Sequence, residues 1–473
     1  MSKKISRRTF LEAMGATGAA LALTACGSGA ASTAASTASS AAGSSASSAA
    51  LSDTGSTTVM DEPSGSYTPL TVWTFIELHQ KFYIDMATKW NQENPDKQVR
   101  LTLVNIGYDD MHNKLRTTLD SGTGFPDVVD IEIGKFPGFL SGSSIKLMDL
   151  SSAIDPYRSS IVESRLEIYT KDKKTYGFPT HMGTTVAFYN KELCDGAGVD
   201  YTAIKTWDDW KKAGEAYFAA TGKAFSYVET SASWIVNMML CQKGGSYLDK
   251  DGKPNLQSQE LTDVLTFLKS CQDDKKGAFT TMPGGQPDTE EGYGAFNQGD
   301  FACQIMPFWQ TSRFVNYMTD LKGKVEMCSV PRFSESDACW TIGGGGTGTA
   351  VVAAGASADL ASQVFAYIKL SDEASVQIWN VLGFDPINKN IWKDESVTHN
   401  PDNQYVQYFA NNPFDPLLEM QDSIGALTDQ ISEYWPDIAN EISTVTLNSI
   451  FEEGAEVADA LADAQSTVET YVD

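Results

Sequence analysis

An α/β fold is predicted for this chain, on three observations. Short runs rich in β-branched and aromatic residues alternate with segments whose apolar residues recur at helical spacing. The alternation opens strand, helix, strand, helix, strand, the order of a sheet with helices on its faces. The body, about residues 67 to 473, has an ordinary apolar content and is long enough for two domains.

Each element follows from its local sequence. Leu70-Thr71-Val72-Trp73-Thr74-Phe75 holds the residue types that suit a half-buried pleated surface and predicts the first strand. From His79 to Asn91, Phe82, Met86, Ala87 and Trp90 fall on one helical face, and Asn94-Pro95 stops the helix. Val99-Arg100-Leu101-Thr102-Leu103-Val104 predicts the second strand, and Tyr108 to Leu119 a second helix ending in Ser121-Gly122-Thr123-Gly124. Asp127-Val128-Val129-Asp130-Ile131 is mostly apolar, which predicts a strand central in a parallel sheet. Ligands of such sheets sit beyond the carboxyl ends of the strands. That directs attention to Phe75–His79 and Glu132–Lys135.

The segment before the body has a different character. Lys3, Lys4, Arg7 and Arg8 precede a mildly apolar stretch from about Phe10 to Ala25, the shape of an export signal and too short to span a membrane. Leu23-Thr24-Ala25-Cys26 resembles a bacterial lipobox, so residues 1–25 are expected to be a lipoprotein signal peptide. Cleavage would leave Cys26 as the lipid-bearing N-terminus. Ser6-Arg7-Arg8-Thr9-Phe10-Leu11 also resembles a twin-arginine signal, which leaves the twin-arginine and general secretory routes both open. Residues 26–66 are almost all Ser, Ala, Gly and Thr, cannot bury enough apolar surface to offset ordering entropy, and are expected to form a tether. The expectation is a folded body held at the outer face of the cell membrane of a monoderm cell.

Charge narrows the partners. The chain carries −26 in total, and its first 25 residues carry +3, so the remainder carries −29. That excludes a nucleic-acid partner, whose binding depends on neutralising phosphates, and opposes an electrostatic grip on anionic lipid. A neutral ligand fits. The body has six cysteines, Cys194, Cys241, Cys271, Cys303, Cys328 and Cys339, none at C-x-x-C spacing. Disulfides and free thiols are both compatible with that count in an exported protein.

Catalytic and metal motifs are weak. Gly343–Gly348 has no lysine and so is not a phosphate loop. Asp249-Lys250-Asp251-Gly252 departs from a calcium loop at Lys253 and in its glycine position, and predicts a hairpin turn instead. The histidines at 79, 112, 181 and 399 never fall at H-x-x-x-H spacing, no G-x-S-x-G elbow occurs, and no spacing singles out a carboxylate pair for glycoside cleavage. Neither a cofactor, a metal nor an enzymatic activity is expected.

A series of short motifs in fixed order gives the chain a family likeness. They are Trp73-Thr74-Phe75, Asn94-Pro95, Ser121-Gly122-Thr123-Gly124-Phe125-Pro126-Asp127-Val128-Val129, Asp149-Leu150-Ser151 and Tyr176-Gly177-Phe178-Pro179. Ala187-Phe188-Tyr189-Asn190-Lys191-Glu192-Leu193, Thr206-Trp207-Asp208-Asp209, Gly299-Asp300-Phe301-Ala302, Pro307-Phe308-Trp309 and the glycine run 343–348 leading into Thr349-Ala350-Val351-Val352 follow. Together they resemble the maltodextrin-binding-like family of ABC-transporter extracellular sugar-binding lipoproteins. The stretches around Phe75 and Glu132 look most like its arabinose or lactose type. The match thins over Tyr83–Trp90 and after Trp392.

The resemblance implies a two-lobed α/β fold of the periplasmic-binding-protein kind, with a ligand cleft between the lobes. Residues 67–182 and 344–385 would form the N-terminal lobe, and 183–343 and 386–473 the C-terminal lobe. The chain would cross near His181-Met182-Gly183, Gly343–Gly346 and Asp385-Pro386. It also implies a monomeric receptor that captures a pentose, disaccharide or short oligosaccharide and hands it to permease subunits. A nonsugar-solute receptor and a surface carbohydrate-active enzyme are the alternatives.

A sugar presents an apolar face and a rim of hydroxyls, so its site combines aromatic platforms with a few fixed polar groups. Trp309, Trp234 and Trp340, in that order, are the candidate platforms, whereas Trp207 and Trp210 are expected to be core or surface cover. Glu77, His79, Glu132, His181 and Glu229 are the candidates for the hydroxyl rim, and Phe75, at the end of the first strand, is a further candidate ligand contact. Gly345 and Gly346 belong to a hinge whose backbone approaches the ligand.

Overall fold

The computed structural model describes residues 55–141, 144–274 and 277–471. The expected export signal, Cys26 and residues 26–54 of the expected tether lie outside them. Residues 57–60 of the expected tether are built into the fold. Strand β1 (Thr57–Val59) pairs antiparallel with β3 (Gln98–Asn105). Met60 follows it, 5% exposed, its N–H donating to Leu101 O at 2.9 Å. The β-branched run Thr57-Thr58-Val59 and the apolar Met60 give this short stretch something to pair and something to bury.

The expected opening elements form, with ends within three residues of those expected. Strand β2 (Tyr67–Thr74) leads to helix α1 (Leu78–Glu93), then β3, helix α2 (Tyr108–Ser121) and strand β4 (Val128–Glu132). β2 lies parallel to β3 and to β4. α1 buries Phe82, Tyr83, Met86 and Trp90 on one face of this sheet, in the same core as Val72, Leu101 and Val128. α2 and the segment after β4 cover the other face, where Met111, Leu115 and Phe136 pack with Trp73, Val129 and Ile131. β4 is interior, as its apolar run predicts, but the sheet is mixed. The strand Thr347–Val351 lies antiparallel to β4 on its other side and also pairs with Phe178–Pro179.

A second sheet centres on Thr185–Asn190, flanked antiparallel by Cys303–Pro307 and Val325–Cys328. Ser226–Val228 and Phe279–Thr281 form a parallel pair beside it, tied to it by Tyr227, whose hydroxyl donates to Ile305 O at 2.9 Å. Trp207 and Trp210, 1% and 0% exposed, pack edge to face in this core. Cys194, Cys241, Cys303, Cys328 and Cys339 are free thiols. Asp249 Oδ1 accepts the N–H groups of Asp251 and Lys253, closing the expected hairpin turn. Among the described residues no helix is long and apolar enough to cross a membrane.

The chain leaves the first sheet at Pro179, enters the second at Thr185, and returns between Ile342 and Thr347. The two passages run side by side. Thr184 and Gly343 form an antiparallel bridge, and Gly344 N–H donates to Gly183 O at 2.8 Å. Asp385 ties a third segment to them. Its carboxylate accepts the N–H groups of Gly183 and Thr184, at 2.9 and 2.8 Å, and its carbonyl accepts that of Met182 at 2.9 Å.

Candidate ligand-binding site

The glycine run at the return passage is where the functional side chains gather. Gly345 and Gly346 have φ of +64° and +109°, a region L side chains rarely adopt. Neither has room for a side chain. A Cβ on Gly345 would lie 3.0 Å from Trp309 Nε1 and 3.3 Å from the Trp234 ring, and one on Gly346 would lie 3.2 Å from His181 Cε1 and 2.4 Å from Arg165 Nη2. Two adjacent glycines therefore bring the tryptophans and the imidazole together.

Trp309 follows the strand Cys303–Pro307, and Trp234 opens the helix Trp234–Gln242. Their rings meet edge to face, 5.6 Å apart at 73°. Trp309 Nε1 donates to Gly344 O at 3.0 Å, and the Arg313 guanidinium lies 5.0 Å from its ring centroid. Asp288 holds that guanidinium, with Arg313 Nε donating to Oδ1 at 3.0 Å.

His79 and His181 both pack against Phe384, with centroid distances of 6.1 and 4.6 Å. They are 1% and 4% exposed. His79 Nδ1 lies 2.9 Å from Asp130 Oδ2, while His79 Nε2 and both ring nitrogens of His181 are buried without a protein partner. Burial lowers the pKa of His79 despite its Asp130 partner. Burial, with Arg165 adding to it, lowers that of His181 well below the ordinary value. Both are neutral near pH 7. Buried polar groups are nearly always satisfied, so these three nitrogens stand open to a polar partner from outside the chain.

Glu229, 3% exposed, caps the helix that Trp234 opens. Its Oε2 accepts Ile235 N–H at 3.1 Å, and its Oε1 is buried without a partner. Burial pushes its pKa up to about 8, against the pull of the two backbone donors, so it is protonated at neutral pH.

Beyond the carboxyl ends of β2 and β4 a second group forms. Glu132 Oε2 accepts from Tyr108 Oη at 3.0 Å and from Gly134 N–H at 2.7 Å. Phe75 packs edge to face on Tyr108 at 5.1 Å and against His112 at 5.3 Å. His112 Nδ1 lies 2.6 Å from Tyr108 O, and its Nε2 accepts Glu132 N–H at 3.1 Å. A Cβ on Gly134 would lie 3.3 Å from Trp435 Nε1. Trp435 packs on Tyr247 at 5.8 Å, so it reaches from the second-sheet side to the loop after β4.

The structure thus brings His181, Trp234, Trp309, Gly345 and Gly346 together, with His79 joined to them through Phe384. Glu229 sits at the foot of Trp234, and Phe75 and Glu132 form the group at the strand ends. It does not bring Glu77 or Trp340. Glu77 is exposed where α1 begins. Trp340 donates from Nε1 to Val330 O at 2.8 Å, lies under Arg332 at 4.4 Å, and lines a separate pocket of about 400 Å³ with Tyr201, Met327 and Glu419. Arg165, Arg313, Phe384 and Trp435 were not foreseen. No local pattern distinguishes them from core or surface residues.

Comparison with known proteins agrees with this architecture. Residues 77–374 match the family described as bacterial extracellular solute-binding protein. An arabinooligosaccharide-binding protein of Halalkalibacterium halodurans is 37% identical over 414 residues, 87% of this chain and 92% of that protein. One from Bacillus subtilis is 40% identical over 362 residues, 76% of this chain and 82% of that protein. Among solved structures, the cyclic alpha-maltosyl-1,6-maltose binding protein of Arthrobacter globiformis superposes with a TM-score of 0.68 at 19% identity, covering 86% of this chain and 99% of that one. That likeness establishes the fold, two α/β lobes about a cleft. With 298 of its 473 residues inside the family match, this chain belongs to the bacterial extracellular solute-binding protein family.

Proposed function

We propose that this protein is the extracellular receptor of an ABC importer and captures a short arabinose-containing oligosaccharide. The observation that carries a sugar ligand is the junction at Gly345–Gly346, where an edge-to-face tryptophan pair meets neutral imidazoles with unpartnered nitrogens. The ring faces suit the C–H face of a sugar, and the orphaned nitrogens suit its hydroxyls. The arabinose type rests on the two relatives that match across most of both chains.

The ligand-contacting groups come from both sheets: His79 from the first, Trp309 and Trp234 from the second. A ligand that bridges them favours the closed arrangement by its differential affinity for the two states. No bond in the sugar is made or broken, and the closed form is what the permease subunits receive. The lipobox-like Leu23-Thr24-Ala25-Cys26 supports export, cleavage and lipid anchoring at Cys26 on the outer face of the membrane. Acting as a monomer is sufficient, since one chain supplies both walls of the cleft.

Calorimetric titration of residues 55–473 with arabinobiose, arabinotriose, maltose, lactose, a peptide mixture and spermidine tests the proposal. Saturable heat with the arabinose oligomers, and intact sugar on recovery, is the expected result. A response to peptide or polyamine alone would replace the substrate class, and release of new reducing ends would replace the receptor with an enzyme.

A further inference from the structure

One buried polar network lies behind the site and contacts no ligand position itself. Asp130, 0% exposed in β4, accepts from Tyr83 Oη at 2.6 Å and Thr349 Oγ1 at 2.7 Å on Oδ1, and faces His79 Nδ1 at 2.9 Å with Oδ2. Lys369, 0% exposed in the helix Ala358–Leu370, donates to Tyr83 Oη at 2.9 Å and to Thr180 Oγ1 at 2.7 Å. Thr180 in turn lies 2.6 Å from Thr347 Oγ1, joining the two passages between the sheets.

The donors and acceptors leave one consistent assignment. An ionised carboxylate only accepts, so His79 Nδ1 must carry the proton. In a neutral ring Nε2 is then an acceptor. That atom is the one buried without a partner. The Lys369 charge favours the ionised form of Asp130, and Asp130 favours the charged form of Lys369. With these two charges balanced, His79 need not be protonated to compensate Asp130.

We propose that Asp130 and Lys369 are positioning residues that hold His79 as the Nδ1–H tautomer, so that its Nε2 accepts a hydrogen bond from a ligand hydroxyl. The inference rests on the receptor reading above and sharpens it. This corner of the site requires a hydrogen-bond donor, O–H or N–H, and rejects a group that can only accept, such as a carboxylate or an ether. Sites built around a hydroxyl discriminate strongly against analogues that lack it.

The test is nitrogen-15 NMR of the histidine rings in the ligand-free protein, together with arabinotriose titration of the wild type, Asp130→Asn and Lys369→Met. In the wild type the His79 proton should reside on Nδ1. In Asp130→Asn the amide oxygen takes the Tyr83 and Thr349 hydroxyls and its NH₂ faces Nδ1, so the proton should move to Nε2 and affinity should fall about 10- to 100-fold. In Lys369→Met, His79 should become an imidazolium to balance Asp130, with a similar loss. Thermal melts identify any variant that does not fold. An Nε2–H tautomer in the wild type overturns the inference, as does unchanged affinity in a folded Asp130→Asn or Lys369→Met. Absence of sugar binding by the wild type would overturn the receptor reading instead, while the tautomer still reports on the network.

Discussion

Replacing Trp309 by alanine should separate a ligand platform from an ordinary core tryptophan. Trp309 is 6% exposed, with Arg313 over its ring and Trp234 at its edge. A buried indole covers roughly 200 Å². As a central tryptophan anchor, the platform contributes about 2 kcal/mol. Affinity for arabinotriose should fall about 30-fold. The same change also removes the Nε1 bond to Gly344 and leaves a cavity, so folded stability should drop by about 3–5 kcal/mol. Trp309→Phe is the companion variant, retaining a ring face while losing the indole donor, and should bind more tightly than the alanine variant. Trp340→Ala is the control. Its ring lines a pocket under Arg332, away from the glycine junction, and its loss should leave affinity unchanged. Calorimetry on folded protein reads all three. Wild-type affinity in Trp309→Ala, or a loss in Trp340→Ala equal to that of Trp309→Ala, would refute the placement of the site.

Two further outcomes follow from particular residues. Glu229 has a folded pKa of about 8, above its ordinary value, so between about 4.5 and 8 the native state binds the extra proton and stability falls as pH rises. Glu229→Gln should remove that slope in thermal melts across pH 5–8, with little change at pH 5; an unchanged slope would mean that Glu229 is ionised throughout. A chain beginning at Tyr67 lacks β1 and Met60, and should be about 2 kcal/mol less stable to urea than one beginning at Gly55. Equal stability would show that β1 is dispensable.

The opening βαβαβ unit was legible because each element is defined by its own neighbours in sequence: apolar period, β-branched content and a stop signal. The tether boundary was not, because four residues from Thr57 to Met60 are diluted by the Ser- and Ala-rich stretch before them. His79 and Glu77 show the limit of position alone. Both follow the first strand, yet two residues along the start of α1 turn one side chain into Asp130 and the other into solvent. Trp340 lies apart from the glycine junction for a related reason. It lies only five residues before Gly345, but extended chain advances about 3.3 Å per residue, so closeness in sequence does not put it beside the glycines. Trp435 lies about 300 residues beyond Gly134 and reaches it only through the tertiary fold.

Under the proposed function, the glycine junction would serve as hinge and ligand site at once. Arg165, 2% exposed, donates to His181 O from one nitrogen and to Gly345 O from another. It therefore clasps both passages between the sheets at the point where the tryptophans and imidazole converge. Asp385 clasps the first passage from the third segment, through Gly183 and Thr184. Any rotation of one lobe against the other changes backbone angles in these segments, and Gly183, Gly345 and Gly346 are the residues there with positive φ. A ligand seated on Trp309 and His181 is then only one or two residues from the backbone that must turn. Small changes at a ligand seated there would act directly on the proposed hinge. The same closeness constrains the sequence: a side chain at Gly346 would collide with Arg165 and approach His181, so a substitution there should disturb hinge and ligand contact together.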